Sequence, residues 1–518
     1  MTTEATTETT TRTPGDGTPG SGPSTTNGPR AETSSARPDR ADRTKDGRPA
    51  RGDRLSGRDA LVLFVLCAAQ FMVALDFSVL NVALPVLGRD LGMSPSALQW
   101  AVTAFALPSG GFLLLFGRIG DLFGRRALFV AGLTLFGAAS LLATLAWDPA
   151  SFLAGRALQG LAAAAIVPTG MSLLTTTFPE GPARDRALGI SGTLLSLGFT
   201  IGMVAGGVLT DVLSWRSTMG LLSLFALVVL PLATVLLPAS PARHADADPA
   251  AAQGRPRLDV PGAVTVTGGL LSLIYALSTA AERGFGGTDV VTTLALGVVL
   301  LGAFVRIESR AAAPLVSLRM LRRPTVAWGN LGGLVTFSMM STVVFALTLY
   351  LQETLGLSAF ETGLVFGVQG LLSAVAGMYA PKVIGRFGAR RTLAGSLAGQ
   401  GVFVAGMLLL NAHTWSVWIA TAGVSLASMF HLGAIISYGL TVTSGVPDEE
   451  QGLATGLVTS TQQVGITVGI PLLGVLATTS GDLLSGVHTV LALDAAIVLA
   501  AAALIAVGLG RRGAARTR

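Results

Sequence analysis

The chain has 518 residues, 51% of them hydrophobic and only 12% charged, with a formal net charge of +6. That composition is too apolar and too poor in charge for an ordinary soluble domain, and it describes a chain solvated by lipid along most of its length. The positive balance does not argue for a nucleic-acid partner, because its densest source, residues 1–58, holds no aromatic side chain to stack on a base.

Residues 1–58, rich in Thr, Pro, Gly, Ser and Arg, read as a disordered basic cytoplasmic tail suited to anionic lipid headgroups. No apolar stretch precedes a cleavage site, so no signal peptide is expected and the first span serves as the insertion signal. A spanning helix needs about 20 mostly apolar residues. On that basis fourteen spans are expected, at 60–87, 96–116, 127–147, 150–175, 188–210, 218–237, 260–281, 290–308, 326–351, 360–384, 392–411, 415–440, 452–477 and 487–510. With both termini cytoplasmic, the 35 Lys and Arg fall in cytoplasmic tails and loops, except Arg89, Arg156, Arg216 and Arg283. This asymmetry is what the positive-inside rule demands, and a missed or invented helix would destroy it.

An internal repeat adds to this. GRIGDLFGRR, residues 117–126, aligns with PKVIGRFGAR, residues 381–390, through Phe123/Phe387, Gly124/Gly388, Arg126/Arg390 and the basic pair Arg118/Lys382. The second copy follows the tenth span, which places two extra spans between two six-helix units. The expected divisions are a six-helix bundle over 59–237, a cytoplasmic linker over 238–259 and two additional spans over 260–308. A second linker over 309–325, a six-helix bundle over 326–510 and a tail over 511–518 complete the chain.

Within the spans, Asp76 is an ionisable carboxylate in the first, in the stretch Leu75 to Pro85 that also holds Asn81. A charge there costs several kcal/mol unless it is paired or hydrated, so Asp76 is a functional candidate by default. Arg156, with Gln159, lies early in the fourth span, roughly 10 Å below its outer end, in the same half of the membrane as Asp76. A direct or water-bridged pair is therefore open. Gly189, Gly198, Gly202, Gly206 and Gly207 space the fifth span for close helix approach. Polar residues Gln70, Asn330, Gln352, Gln369 and Gln400 suit either a cavity wall or bonds between helices. His431 suits titration or a structural bond, and Asp494 a structural or hydrated role. Phe337, Met339, Met340 and Phe345 are candidate apolar cavity residues. The single cysteine, Cys67, excludes an intrachain disulfide and reads as a small buried hydrophobe. Scattered histidines give no metal site, and no Walker loop is present, so neither a metal nor a nucleotide cofactor is expected.

Several of these segments resemble the major facilitator superfamily, and in particular its fourteen-helix drug:proton antiporters. Gly117, Asp121, Gly124, Arg125 and Arg126 resemble the signature loop of the superfamily, and Arg156 to Gly160 its fourth-helix Arg-x-x-Gln-Gly motif. The glycines of the fifth span resemble the antiporter motif, with Met203 where proline is usual. Leu75 to Pro85 resembles the first-helix motif of the antiporters. Pro314 to Val316 with Leu321 to Arg323, and Ser444 to Glu450, resemble cytoplasmic segments of the same family. The resemblance implies an all-α polytopic membrane protein, two six-helix bundles plus two helices, that opens a central chamber alternately to either side. It implies a cytoplasmic gate at Asp121 and its neighbours, and a glycine face of the fifth helix packed on the other half. It also implies proton coupling at Asp76, Arg156 and Gln159, and low-polarity cargo. Asn81, Asn330, Gln369 and His431 are further candidates for the chamber wall. The expected partners are a small hydrophobic substrate, protons and the bilayer, with the chain acting as a monomer. An exporter of one endogenous metabolite remains open. An enzyme would need clustered acid or histidine residues, and a sensor a folded signalling domain, and neither is visible in the sequence.

Overall fold

In a computed structural model, the described residues are 57–178, 182–237, 259–284, 286–311, 318–446, 448–474, 476 and 482–510. The tail 1–56, most of the 238–259 linker, Pro314 to Val316, Pro447 and 511–518 lie outside them. Helices account for almost all of this. The first half comprises α1 (Gly57–Leu91), α2 (Pro95–Gly111), α3 (Leu113–Phe123), α4 (Arg125–Thr144), α5 (Pro149–Thr177), α6 (Pro182–Val212) and α7 (Trp215–Leu236). Next come α8 (Val260–Arg283), α9 (Thr288–Glu308) and the single turn α10 (Leu318–Leu321). The second half holds α11 (Pro324–Leu349), α12 (Ala359–Phe387), α13 (Ala389–Gly406), α14 (Ser416–Thr443), α15 (Asp448–Gly469) and α16 (Leu483–Gly510).

Among the described residues, 12 helices are long and apolar enough to cross a membrane. The other two expected spans fall on interrupted segments, and the reasons are local. Span 96–116 is split into α2 and α3 by a bend at Phe112, just after Pro108, Gly110 and Gly111. Span 452–477 falls on α15, which carries Thr459, Gln462 and Gln463 and then loosens into a π turn at Ile470–Gly474. The outward sides of α7 and α9 expose Leu227, Val235, Val298 and Val299. Apolar residues therefore lie both in the core and on the outside, as a lipid-solvated fold requires.

Helices α1–α7 pack chiefly on one another, as do α11–α16, and each set closes its own hydrophobic core. The α8/α9 hairpin packs tightly on itself, and α8 rests on α2 and on the π turn after α15, touching both halves. The repeat read from sequence reappears as geometry. Gly124 joins α3 to α4 with φ 105°, and Gly388 joins α12 to α13 with φ 80°. Each donates its N–H back to the preceding helix, to Gly120 O at 3.1 Å and Ile384 O at 2.7 Å. A side chain is strained at such a φ, which is why glycine ends the helix at the same point of both copies.

The halves meet at the end of the molecule opposite these basic turns. There Arg89 pairs with Glu353 at 2.7 Å, Gln352 Nε2 donates to Val82 O at 2.8 Å, and Phe360 N donates to Asp211 Oδ2 at 2.9 Å. The seam between α6 and α12 is built largely from α12 glycines at helical spacing, Gly363, Gly367 and Gly370. A Cβ on Gly363 would lie 2.6 Å from Met203 O, a backbone atom that cannot swing aside. Towards the basic end the two helices part, and Gly189 and Gly385 have open space around them. Gly363→Leu should therefore pry the seam open while Gly385→Leu should not. With cysteines introduced by Asp211→Cys and Phe360→Cys, the first change is expected to slow disulfide formation by roughly tenfold or more and the second to leave it unchanged.

Candidate functional site

The site begins at a helix cap. Asp148 caps α5 by accepting from Ser151 N at 2.7 Å, Ser151 Oγ accepts from Asp148 N at 3.2 Å, and Pro149 follows in the first turn. The start of α5 is thus fixed, and Arg156 sits two turns in, about 12 Å along the axis. Gly160, one turn further, has no room for a Cβ against the backbone of Phe105. This close approach of α2 to α5 brings Ala101 and Phe105 onto the arginine. Arg156 Nε donates to Ala101 O at 3.1 Å, and its Cζ lies 4.6 Å from the Phe105 ring centroid.

Opposite stands Asp76 of α1. Arg156 Nη1 donates to Asp76 Oδ1 at 2.6 Å and Oδ2 at 2.8 Å, and to Gln159 Oε1 at 2.8 Å. Gln159 Nε2 in turn donates to Ser140 Oγ of α4 at 2.8 Å, and Ser140 donates to Phe136 O at 2.7 Å. Asp76 and Arg156 side chains are 0% exposed, so this ion pair is closed to bulk solvent. Removing two charges from water is expensive, and the pair holds only because the remaining donors and acceptors are largely met. One is not: Arg156 Nη2 is enclosed with no partner. The three residues singled out for coupling are thus brought together, and the pair is direct. Ser140, the Ala101 carbonyl and the Phe105 ring, which complete it, carry no sequence signal that sets them apart from ordinary helix residues.

Beside the pair, at the seam of the halves, lies a cavity of about 100 Å³ walled by α1, α2, α5 and α6 from the first half and α15 from the second. Gln70, Phe77, Phe105 and Phe199 line the first side, and Thr459, Gln462, Gln463 and Ile466 the second. Small-molecule sites usually measure ~300–1,000 Å³, so this chamber must widen before it holds a drug-sized molecule. The α15 residues were not among the expected wall. Their i, i+3, i+4, i+7 spacing in a span of low hydropathy is the signal that could have found them.

Other candidate residues are placed elsewhere. Asn81, Asn330, Gln369 and His431 do not line this cavity. Asn81 Nδ2 donates to Phe77 O at 2.7 Å, Asn330 bonds Val326 O and Thr461, and Gln369 encloses its Oε1. His431 Nδ1 lies 2.8 Å from Thr336 Oγ1, which donates to Gln400 Oε1 at 2.6 Å. Asn330 and His431 are thus drawn off to bonds between helices, while Asn81 bonds back along its own helix. Phe337, Met339, Met340 and Phe345 are core residues. Asp494 is fully enclosed rather than hydrated, with neither oxygen bonded. Cys67 is free and buried, as expected.

The glycine motif is also redistributed. Gly198, Gly202 and Gly206 pack on α1 of their own half, Gly207 alone of the five meets α12 at Ala359 and Phe360, and Gly189 meets nothing. The register of α6 turns most of its glycines inward, and the glycines of the seam come from α12 instead. In the signature loop, Arg126 donates to Thr234 O, Gly117 lies over Pro168, and Arg125 is also engaged. The side chain of Asp121 lies outside the described residues.

Residues 66–470 and 329–518 match the Major Facilitator Superfamily. The cephamycin export protein CmcT of Amycolatopsis lactamdurans is 38% identical over 434 residues, 82% of this chain and 85% of the relative. The puromycin resistance protein pur8 of Streptomyces alboniger is 37% identical over 422 residues, 80% of this chain and 81% of that one. The POT family transporter PepTSo matches in structure with a TM-score of 0.64 over 87% of this chain and 98% of that one; at 16% identity the likeness is one of fold.

Proposed function

Since this chain belongs to the Major Facilitator Superfamily, and is thus a multi-pass membrane transporter rather than an enzyme, we propose that it is a proton-coupled antiporter. It exports hydrophobic drugs or antibiotics across the cytoplasmic membrane by alternating access. The export role is supported by relatives named for cephamycin export and puromycin resistance. The observation that carries the coupling is the Asp76–Arg156 pair, fully enclosed and set against the cavity at the seam. A proton on Asp76 cancels one charge of the pair and leaves Arg156 uncompensated, which changes the relative energies of the two packings of the halves. With both termini cytoplasmic, the contacts around Arg89 and Glu353 lie outside and the parted ends of α6 and α12 face the cytoplasm. The arrangement is then the inward-facing one. Each half has its own core and the cavity lies within one chain, so a monomer suffices.

One charge moved across about 100 mV is worth about 2.3 kcal/mol, enough to hold a cargo gradient of roughly 50-fold. The test is uptake of a panel of antibiotics, puromycin included, into inverted vesicles with an acid lumen. Concentrative uptake that collapses on adding a protonophore is expected. Uptake indifferent to the protonophore would overturn the proton reading. A second reading, export of a single compound, is favoured by the way both relatives are named for one antibiotic each. Resistance confined to one member of the panel would select it.

A further inference from the structure

The walls of the cavity carry more information than its location. Among the described residues that line it, none bears a charge. Asp76 and Arg156, whose helix neighbours and packing partners line the cavity, neutralise each other and are sealed away at 0% exposure. The field inside the chamber therefore comes from neutral dipoles. Ser109, Thr459, Gln462 and Gln463 contribute hydroxyls and amides, and Gln70 contributes a more telling one. It is 6% exposed, it lines the cavity, and its Nε2 has no hydrogen-bond partner. An enclosed amide donor without an acceptor is a cost unless a ligand supplies the acceptor.

The aromatic residues narrow the class further. Phe77 and Phe199 form an edge-to-face pair with centroids 6.1 Å apart, a wall suited to a planar ring. A lipophilic cation would look for a carboxylate or for free ring faces. No carboxylate stands among the described lining residues, and one face of Phe105 is already taken by the Arg156 guanidinium at 4.6 Å, which leaves a cation only the Phe77 and Phe199 rings and no counter-charge. An anion would find no cation among the described lining residues either, and Arg156 beside them is enclosed and paired.

Resting on the reading of this cavity as the cargo chamber, we propose that the protein selects uncharged aromatic molecules bearing a carbonyl or carboxamide. The carbonyl accepts from Gln70, with further bonds from the glutamines of α15, and permanent cations are rejected. The chamber discriminates by what it would leave unpaired: a cation would lose its water and find no counter-charge, while a carbonyl would satisfy an amide now idle.

A matched pair of probes isolates this chemistry. N-ethylphenanthridinone and N-ethylphenanthridinium share a tricyclic skeleton, one with a lactam carbonyl and the other with a permanent charge. Binding of each to the purified full-length protein in detergent, with no gradient present, is expected to favour the lactam by roughly tenfold or more. Gln70→Leu should weaken the lactam by roughly tenfold and leave the cation where it was. Gln70→Glu should reverse the order, and Gln462→Glu, at a half-buried position, should do the same where the first variant folds poorly. Equal or tighter binding of the cation by the unaltered protein, or binding of neither probe, overturns the proposal. Because no gradient enters the measurement, its failure is separable from that of proton coupling. Lactam preference with protonophore-insensitive transport removes only the coupling, and gradient-driven transport with cation preference removes only this selectivity.

Discussion

Asp76→Asn is expected to abolish concentrative export while leaving downhill movement of cargo intact. Asparagine has the shape of the aspartate and keeps an oxygen within reach of Arg156 Nη1, now at 2.6 Å from the carboxylate. What it lacks is a charge to cancel and a proton to carry. In inverted vesicles with an acid lumen, the accumulation ratio should fall from roughly 50-fold towards unity. Equilibration of preloaded cargo should continue, because the chamber walls are untouched. The substitution also leaves Arg156 buried beside a neutral partner, so the amount of folded transporter must be measured in the same membranes. Undiminished pH-driven uptake per folded molecule would remove Asp76 from the mechanism, whatever the rest of the fold does.

Asp76 was legible because a carboxylate in an apolar run is anomalous on its face, and Arg156 for the same reason. A membrane tolerates few such groups, so each one found points to a pairing. Residue type and helical depth put Asp76 and Arg156 within the same half of the membrane and left a direct or a water-bridged pair open; the structure makes it direct. It failed for neutral polar residues. Asn330, His431 and Gln70 look alike in sequence, yet one bonds Thr461, one bonds Thr336 and one lines the cavity with its amide nitrogen enclosed and unpartnered. Which of these occurs depends on the rotation of each helix about its axis, and an almost uniformly apolar helix carries no hydrophobic stripe to reveal that rotation. The glycines of α6 show the same limit. Their spacing predicted close packing against the other half, but α1 is the partner of three of them, Gly189 meets nothing, and the seam glycines Gly363, Gly367 and Gly370 passed unnoticed in α12. The repeat fared better because it is marked by backbone conformation. Positive φ at Gly124 and Gly388 is a demand that sequence alone expresses as Phe-Gly after a helix. The count of spans depended on local features: Pro108 with its following glycines breaks one expected span, and the polar face of α15 lowers the hydropathy of the other.

Arg156→Met is expected to damage the protein more than the double substitution Asp76→Leu with Arg156→Met. The single change strands a carboxylate that is 0% exposed and takes the donor from Gln159 Oε1 at the same time. Breaking one side of a buried pair typically costs about 3–5 kcal/mol, which should appear as a lower Tm in detergent and a smaller folded yield in the membrane. The double change removes both charges and fills their space with apolar atoms. Such replacements are often neutral or stabilising, so its stability should return to within about 1–2 kcal/mol of the parent. Export driven by a pH gradient should be absent from both. The non-additivity is the informative quantity, since residues sharing a network give interaction energies of about 0.5–3 kcal/mol in such cycles. If Arg156→Met proves as stable as the parent, Asp76 is already neutral at rest, and the resting transporter holds its proton instead of awaiting one. If the double variant matches the parent in stability yet loses pH-driven export, the charged pair adds nothing to the fold that apolar atoms would not, and coupling is the reason for a transporter to keep two opposite charges in oil.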